Sequence, residues 1–206
     1  MTMNKIRKQL GLALGALGAF GLLASATMAQ AAASSPMITT GITSQPIGHY
    51  EFCKRYPSTC TSNPTTAMLK LTPANWKRIV AVNSAVNTNI LPRTDQEVYG
   101  VPEYWAYPTT EGDCEDFALL KQYMLEREGI PRSALLITVV RQKNGDGHAV
   151  LTLRTDQGDF ILDNLENRIL PWEETDYTYL KRQSEANAGK WVGINDGREL
   201  LVGSVR

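Results

Sequence analysis

Cys114 carries an unpaired thiol, a group that could do covalent chemistry, in this 206-residue sequence. Of the three cysteines, Cys53 and Cys60 lie close together and predict a disulfide, which leaves Cys114 in the run Glu111-Gly-Asp-Cys-Glu-Asp-Phe117. The thiolate is the nucleophilic form of cysteine, but an unperturbed thiol with a pKa of about 8.5 is mostly protonated at neutral pH. Catalysis at Cys114 therefore requires neighbours that stabilise the thiolate.

A histidine and an aspartate that could complete such a site follow Cys114 in the chain. Of the two histidines, His49 lies in the N-terminal leader, whereas His148 opens a predicted strand. Asp163 lies on the next predicted strand, where its carboxylate could fix the tautomer of the imidazole and support its charge. The alternative for this third role is Asn164, which strand alternation turns to the opposite face. The chain order Cys114, His148, Asp163 therefore predicts a nucleophile, a general base and an orienting acid.

Three carboxylates, those of Asp113, Glu115 and Asp116, surround the candidate nucleophile and should raise its pKa. A bound cation would cancel their negative potential, and clustered carboxylate oxygens are ligands suited to calcium. Alternatively, these acids only cap a helix and compensate its dipole. The sequence thus makes calcium a candidate cofactor, predicts no organic cofactor, and leaves the two interpretations open.

Two helices are predicted, and the second should position the thiol. A threonine before Pro73 gives an N-cap and proline at the first helical position, and the apolar spacing that follows predicts a helix over about 73–88. A second helix should begin at Cys114, with Asp113 as the capping carboxylate. Free N–H groups and the positive dipole end of that helix would stabilise a thiolate and could hold an oxyanion.

Alternating and β-branched segments after the second helix predict an antiparallel sheet. Its strands are expected over 134–141, 148–154 and 160–163, and the segment 172–206 should add a final hairpin. The aromatic and proline-bearing segment 93–110 is interpreted as an ordered arm that crosses the surface. The predicted fold is therefore α+β, with the nucleophile helix packed on an antiparallel β-sheet.

The N-terminal region indicates export. Residues 1–31 combine a basic start, an apolar stretch and an Ala-x-Ala site, which predicts a signal peptide and a periplasmic or secreted protein; an uncleaved membrane anchor is the alternative. Residues 32–48 are interpreted as an extended leader, and residues 49–206 as a single domain. Charge is balanced, with 21 basic and 21 acidic residues and no basic stripe, so we expect no nucleic-acid partner.

The export signal strengthens the prediction of a disulfide between Cys53 and Cys60, because disulfides persist in oxidising compartments. The loop that this bond closes around Pro57 is short, so the chain-entropy model gives a stabilisation of only roughly 2.5 kcal/mol. The alternatives are two free thiols or a metal pair with His49 nearby, although zinc normally takes four ligands.

Four segments of the sequence carry a family resemblance. They are Tyr104-Trp-Ala-Tyr-Pro108, Gly112-Asp-Cys-Glu-Asp-Phe117, Gly147-His-Ala-Val150 and Leu162-Asp-Asn-Leu165. Together they resemble the bacterial transglutaminase-like cysteine proteinases, a branch of the papain-like transglutaminase superfamily. The resemblance implies a papain-like core in which Cys114 is the nucleophile, His148 the base and Asp163 the orienting acid.

The resemblance also implies a cofactor and partners. The best-known members of this family are periplasmic, calcium-dependent proteases that clip giant surface adhesins near a di-alanine site and release biofilm cells, under an inner-membrane receptor that senses cyclic di-GMP. In them the carboxylates flanking the nucleophile hold calcium; Asp113 and Glu115 occupy those positions here, and Asp116 is a further candidate. Trp105 would line the cleft, support the oxyanion site or serve as a packing anchor.

The leading hypothesis is an exported cysteine peptidase that cleaves a protein substrate, such as a surface adhesin, through a thioester acyl-enzyme. The Cys53 and Cys60 pair and the short arm before Cys114 differ from the adhesin-clipping proteases and suggest a separate exported subgroup, whose substrate can differ. Two alternatives remain: a transglutaminase that passes the acyl group to an amine, and a non-catalytic protein that uses the cleft only to hold a partner.

Overall fold

The computed structural model describes residues 34–197. The predicted signal peptide (1–31) and the end of the predicted final hairpin (198–206) lie outside the described residues. The helices are α1 (Ile47–Arg55), α2 (Pro73–Asn89), α3 (Asp95–Val98) and α4 (Cys114–Arg127). The strands are β1 (Ile38–Thr43), β2 (Leu91–Pro92), β3 (Glu111–Gly112), β4 (Leu135–Arg141), β5 (Gly147–Thr155), β6 (Gly158–Leu162), β7 (Leu170–Pro171), β8 (Thr178–Gln183) and β9 (Trp191–Asn195). Within this part of the chain, no helix has the length and apolar character needed to cross a membrane.

The main sheet has seven strands in the order β1-β9-β8-β4-β5-β6-β7, with antiparallel pairing throughout. The predicted meander is present as β4, β5 and β6, and the predicted hairpin, β8 and β9, adds to the free side of β4. Short strands β2 and β3 form a separate parallel pair just before α4. The α+β architecture expected from the sequence is confirmed.

Helix α4 packs on β4 and β5 and positions the first residue of the helix, Cys114. Its inward side chains include Phe117, Ala118 and Leu125, each no more than 1% exposed. Full burial of a side chain such as Leu125 contributes about 1.5–3 kcal/mol. Because α2 packs on α4 as well, the start of the nucleophile helix is held by a layered core rather than by local propensity alone.

Alternation along β5 divides its side chains between two apolar clusters. Leu151 and Leu153 belong to the larger cluster, which lies under α2 and α4, whereas Val150 belongs to the smaller one on the opposite face. His148 shares the strand parity of Val150 and is 5% exposed. The strand thus supplies both core residues and one candidate site residue.

Part of the predicted extended leader is regular structure. Strand β1 pairs with β9 at the edge of the main sheet, and α1 begins at Ile47. The sequence analysis did not anticipate α1, whose proline and glycine at its start weaken the helical pattern. Cys53 in this helix is joined to Cys60 by a disulfide with an S–S distance of 2.09 Å, and Cys114 is free.

The predicted surface arm over 93–110 is partly buried. It contains the short helix α3, whose N-cap Thr94 exchanges hydrogen bonds with Glu97 in a capping box. Farther along, Trp105 is only 2% exposed and belongs to the larger apolar cluster. The first part of the arm crosses the surface, with Tyr99 exposed, whereas its end enters the core at Trp105, beside the start of α4.

Candidate active site

A buried histidine–carboxylate pair lies at the start of β5 and the end of β6. His148 Nε2 and Asp163 Oδ1 are 2.8 Å apart, and each side chain is 3% exposed. An ionised carboxylate only accepts hydrogen bonds, so the proton lies on Nε2 and the other ring nitrogen, Nδ1, is left as the acceptor of a neutral ring. The pair is thus arranged so that Nδ1 can take a proton.

Asp163 accepts further hydrogen bonds that keep it ionised. Leu165 N–H donates to Oδ1 at 3.0 Å, and the hydroxyl of Tyr177 donates to Oδ2 at 2.5 Å. Burial raises the pKa of Asp163, but the hydrogen bonds from His148, Tyr177 and Leu165 outweigh it and hold the pKa below its ordinary value. The alternative residue, Asn164, instead has a buried Oδ1 without a hydrogen-bond partner among the described residues.

Cys114 and His148 line the same cavity, which has a volume of about 420 Å³. The thiol also donates a hydrogen bond to Glu115 Oε2 at 3.1 Å. The backbone N–H of Ala149, the residue next to His148, lies near enough to the sulfur to lower the pKa of the thiol. The structure therefore places both predicted groups on one cavity, where the sulfur hydrogen-bonds Glu115 and, within residues 34–197, makes no hydrogen bond with His148.

The electrostatics around Cys114 oppose a thiolate, as the sequence predicted. Burial raises the pKa of Cys114 well above its ordinary value, and the charge of Glu115, its hydrogen bond with the thiol and the charge of Asp113 raise the pKa further. The Ala149 N–H acts in the opposite direction. A change that removes the negative potential of the acids would therefore favour the reactive form of the sulfur.

Carboxylates cluster beside the nucleophile, but the set differs from the predicted one. Asp113 and Asp116 lie together with Asp95, and one oxygen from each is within 4.8 Å of the others. Glu115 accepts a hydrogen bond from the sulfur of Cys114 and also interacts with the carboxyl group of Asp113. Three buried oxygens of the cluster, one on each aspartate, have no hydrogen-bond partner within residues 34–197.

These buried acids have raised pKa values. Burial is the largest cause in each case, and it raises the pKa of Asp116 to about 8, that of Asp113 to about 6 and that of Glu115 to about 9. Burial also raises the pKa of Asp95. Burial thus disfavours the ionised carboxylates, and a bound positive charge would favour them.

The predicted capping role of Asp113 is wrong in one respect. Asp113 occupies the N-cap position of α4, yet its side chain makes no capping hydrogen bond. Its Oδ2 instead accepts a hydrogen bond from the backbone N–H of Asp95 at 3.3 Å. The carboxylate is thus directed into the acid cluster and away from the first turn of the helix.

Trp105 lines the cavity and also packs in the core. Its indole N–H donates to Glu103 Oε1 at 2.6 Å, and its ring lies edge-on against His49 and Trp191. Because the N–H is already used by Glu103, the geometry favours the cleft-lining and packing roles over an oxyanion role.

The second histidine, His49, is a structural residue. It is 1% exposed, and its Nδ1 accepts a hydrogen bond from the indole N–H of Trp191 at 3.1 Å. Burial, together with the charge of Arg132, lowers the pKa of His49 to about 3. His49 is thus held in the core by hydrogen bonds and does not line the cavity that Cys114 and His148 share.

Two residues of the site region were missed by the sequence analysis. Asp95 lies 18 residues before Asp113 and reaches the cluster only through the tertiary fold. The sequence feature beside it, the capping box of α3, predicts a helix and not a metal ligand. Tyr177 lies in the loop before β8, and no spacing rule connects it to Asp163.

Comparison with known proteins identifies the family. A family model for the bacterial transglutaminase-like cysteine proteinases (BTLCP) matches residues 39–199. The chain belongs to this family. It is accordingly a transglutaminase-like cysteine peptidase, and its mixed helix and antiparallel-sheet structure agrees with that assignment.

Solved structures of another protein support the family assignment. Calcium-bound LapG from Legionella pneumophila is 28% identical, with a TM-score of 0.50, over 60% of this chain and 71% of that chain. A second LapG structure from the same organism is 30% identical, with the same TM-score and the same shares of both chains. A comparison with curated protein sequences gave no match.

Proposed function

We propose that Cys114, His148 and Asp163 form the catalytic triad of a peptidase that cleaves a protein substrate through a thioester acyl-enzyme. The observation that supports this most strongly is the use of His148 Nε2 by Asp163 at 2.8 Å. It leaves Nδ1 free for the thiol in the cavity that His148 and Cys114 share.

The reaction follows from these positions. His148 Nδ1 takes the thiol proton as the sulfur of Cys114 bonds to the substrate carbonyl carbon, and the carbonyl oxygen becomes an oxyanion near the N–H groups of the first turn of α4. Nδ1 then gives the proton to the leaving amine as the C–N bond breaks. Water, deprotonated by the same nitrogen, attacks the thioester, and the acid product and the thiol are released.

Calcium is part of the proposal. Asp95, Asp113 and Asp116 would hold the ion, since one oxygen from each lies within 4.8 Å of the others, each has a buried oxygen without a partner among the described residues, and oxygen ligands suit calcium. One similar solved structure is described as calcium-bound LapG. When bound, the ion would supply positive charge that cancels the potential of the acids and orders the start of α4. Of the predicted ligands, Glu115 would remain the neighbour of the sulfur.

The location and substrate are extensions of the same proposal. We infer export from the signal-like residues 1–31 and from the disulfide, which suits an oxidising compartment such as the periplasm. By family resemblance the substrate would be a surface adhesin, and an inner-membrane receptor would regulate access to it.

The test compares wild-type protein with the Cys114→Ala variant on exported and surface proteins of its own cell, with calcium present. New N-termini labelled after incubation should appear with the wild type and be absent with the variant. Cleavage that persists in Cys114→Ala would overturn the proposal. A labelled primary amine in the same reaction separates the alternatives: its incorporation into proteins without new N-termini would indicate a transglutaminase, and neither product would indicate a binding protein.

A further inference from the structure

A tyrosine outside the proposed triad contacts two of its members. The Tyr177 hydroxyl donates to Asp163 Oδ2 at 2.5 Å, and its ring centroid lies 5.4 Å from that of His148. Tyr177 comes from the loop before β8, whereas Asp163 directly follows β6 and His148 lies on β5. A third part of the fold therefore reaches the histidine–carboxylate pair.

The two oxygens of Asp163 have different partners. Oδ1 accepts from His148 Nε2 and from the backbone N–H of Leu165, while Oδ2 accepts from the Tyr177 hydroxyl. A carboxylate held at one oxygen alone can rotate about its terminal bond, because that torsion is broad. Hydrogen bonds at both oxygens fix the plane of the group and so the direction in which Oδ1 faces the imidazole.

We propose that Tyr177 is a positioning residue: its hydroxyl fixes the carboxylate of Asp163, and through that carboxylate the ring orientation and Nε2–H tautomer of His148. The inference deepens the proposed function, since it rests on His148 acting through Nδ1. Tyr177 then touches no substrate. Through Asp163 and His148 it determines how Nδ1 is oriented toward the sulfur of Cys114.

Other charged groups act on the same pair, but through space. Lys121 on α4 is 1% exposed and interacts electrostatically with Asp163, and Glu166 in the loop after β6 does so as well. Glu166 and Tyr179 also act electrostatically on Tyr177. These interactions change the potential at the pair without fixing the plane of the carboxylate, which is the role that distinguishes Tyr177.

The test is Tyr177→Phe, which removes the hydroxyl and keeps the ring beside His148. The protein has two histidines, so the nitrogen NMR spectrum of ¹⁵N-histidine-labelled protein contains the ring-nitrogen resonances of two side chains. Those of His49 serve as the internal reference. In the wild type, His148 should show one protonated and one unprotonated nitrogen, in a single tautomer. In Tyr177→Phe its two resonances should move toward each other as tautomers mix, while those of His49 stay in place.

A matched control is Tyr179→Phe, which removes a hydroxyl that hydrogen-bonds Thr175 at 2.8 Å instead of Asp163. It should leave the His148 resonances unchanged. Iodoacetamide alkylation of Cys114, followed by mass spectrometry, should slow about threefold to tenfold in Tyr177→Phe and not in the control, in line with the net contribution of one ordinary hydrogen bond, because the lost bond acts on the thiol only through Asp163 and His148.

The outcomes separate this inference from the proposed function. Unchanged His148 resonances in folded Tyr177→Phe, verified by an unchanged circular dichroism spectrum, would overturn the positioning role even if Cys114 is catalytic. A tautomer change in Tyr177→Phe together with no cleavage by the wild type would support the positioning role and count against the peptidase. An equal effect in Tyr179→Phe would also contradict the inference, because it would indicate a general packing change.

Discussion

The substitution Asp116→Asn tests the link between the acid cluster and calcium. Asp116 is fully buried, its Oδ1 accepts from the backbone N–H of Ala106 at 2.7 Å, and its Oδ2 has no partner among the described residues. An asparagine amide can keep the Ala106 hydrogen bond while removing the charge. The variant therefore separates the cost of burying a carboxylate from the cost of losing a hydrogen bond.

The sign of the pH dependence follows from the raised pKa of Asp116. The pKa rises from 3.8 to about 8 in the folded chain, so between these values the folded state binds more protons than the unfolded state and stability falls as pH rises. From pH 5 to pH 8, linkage gives a loss of about 4 kcal/mol for this group. For a domain of this size that corresponds to a decrease of about 8–16 °C in Tm.

The assay is thermal unfolding of the wild type and of Asp116→Asn from pH 5 to pH 8, with EGTA or with calcium. Without calcium, the wild-type Tm should fall with pH, and the variant should show a smaller fall because Asp113 keeps its raised pKa. With calcium, the wild type should regain most of its loss at the higher pH, and the variant should not. A wild-type Tm that is constant or rises with pH in EGTA, or an equal calcium gain in the variant, would refute the reasoning.

Three further predictions follow from particular contacts. Gly48→Ala should unfold at a lower temperature than the wild type, since an added Cβ would lie 2.3 Å from Cδ1 of Trp105; a Tm equal to that of the wild type would argue against this packing. Replacing both Cys53 and Cys60 by serine should lower the free energy of unfolding in urea by roughly 2.5 kcal/mol if the loop-entropy model holds, and an unchanged value would show that the disulfide adds nothing. Asp163→Asn should lower the rate of substrate cleavage on the order of 100-fold or more with the Tm little changed, because an amide cannot hold the Nε2–H tautomer in the same way; cleavage at the wild-type rate would exclude Asp163 from the triad.

The parts of the fold that could be predicted were encoded by local signals. Proline at the first helical position gave the start of α2 at Pro73, and the observed helix ends at Asn89. Strand alternation favoured Asp163 over Asn164, and the structure pairs Asp163 with His148. In each case a few neighbouring residues determine the conformation, so the tertiary structure has little to add.

The parts that could not be predicted depend on distant contacts. Helix α1 begins after Pro46 without a side-chain cap, and it is held by packing that local propensity does not encode. Asp95 joins Asp113 only because the arm before α4 folds back on the helix start. Tyr177 reaches Asp163 from a loop whose sequence carries no functional motif. The candidate triad was therefore accessible from order and spacing, whereas its supporting residues required the fold.

Activation of Cys114 by His148 can be measured by comparing the alkylation rates of the native and the urea-unfolded protein. Cys114 is the free thiol once Cys53 and Cys60 are paired, so iodoacetamide uptake measured by intact mass reports on it alone. A buried structural thiol reacts more slowly in the folded state than in the unfolded state. With calcium present, the account predicts faster reaction in the native protein and loss of this advantage in His148→Gln. Slower reaction of native wild-type protein than of the unfolded chain would contradict it.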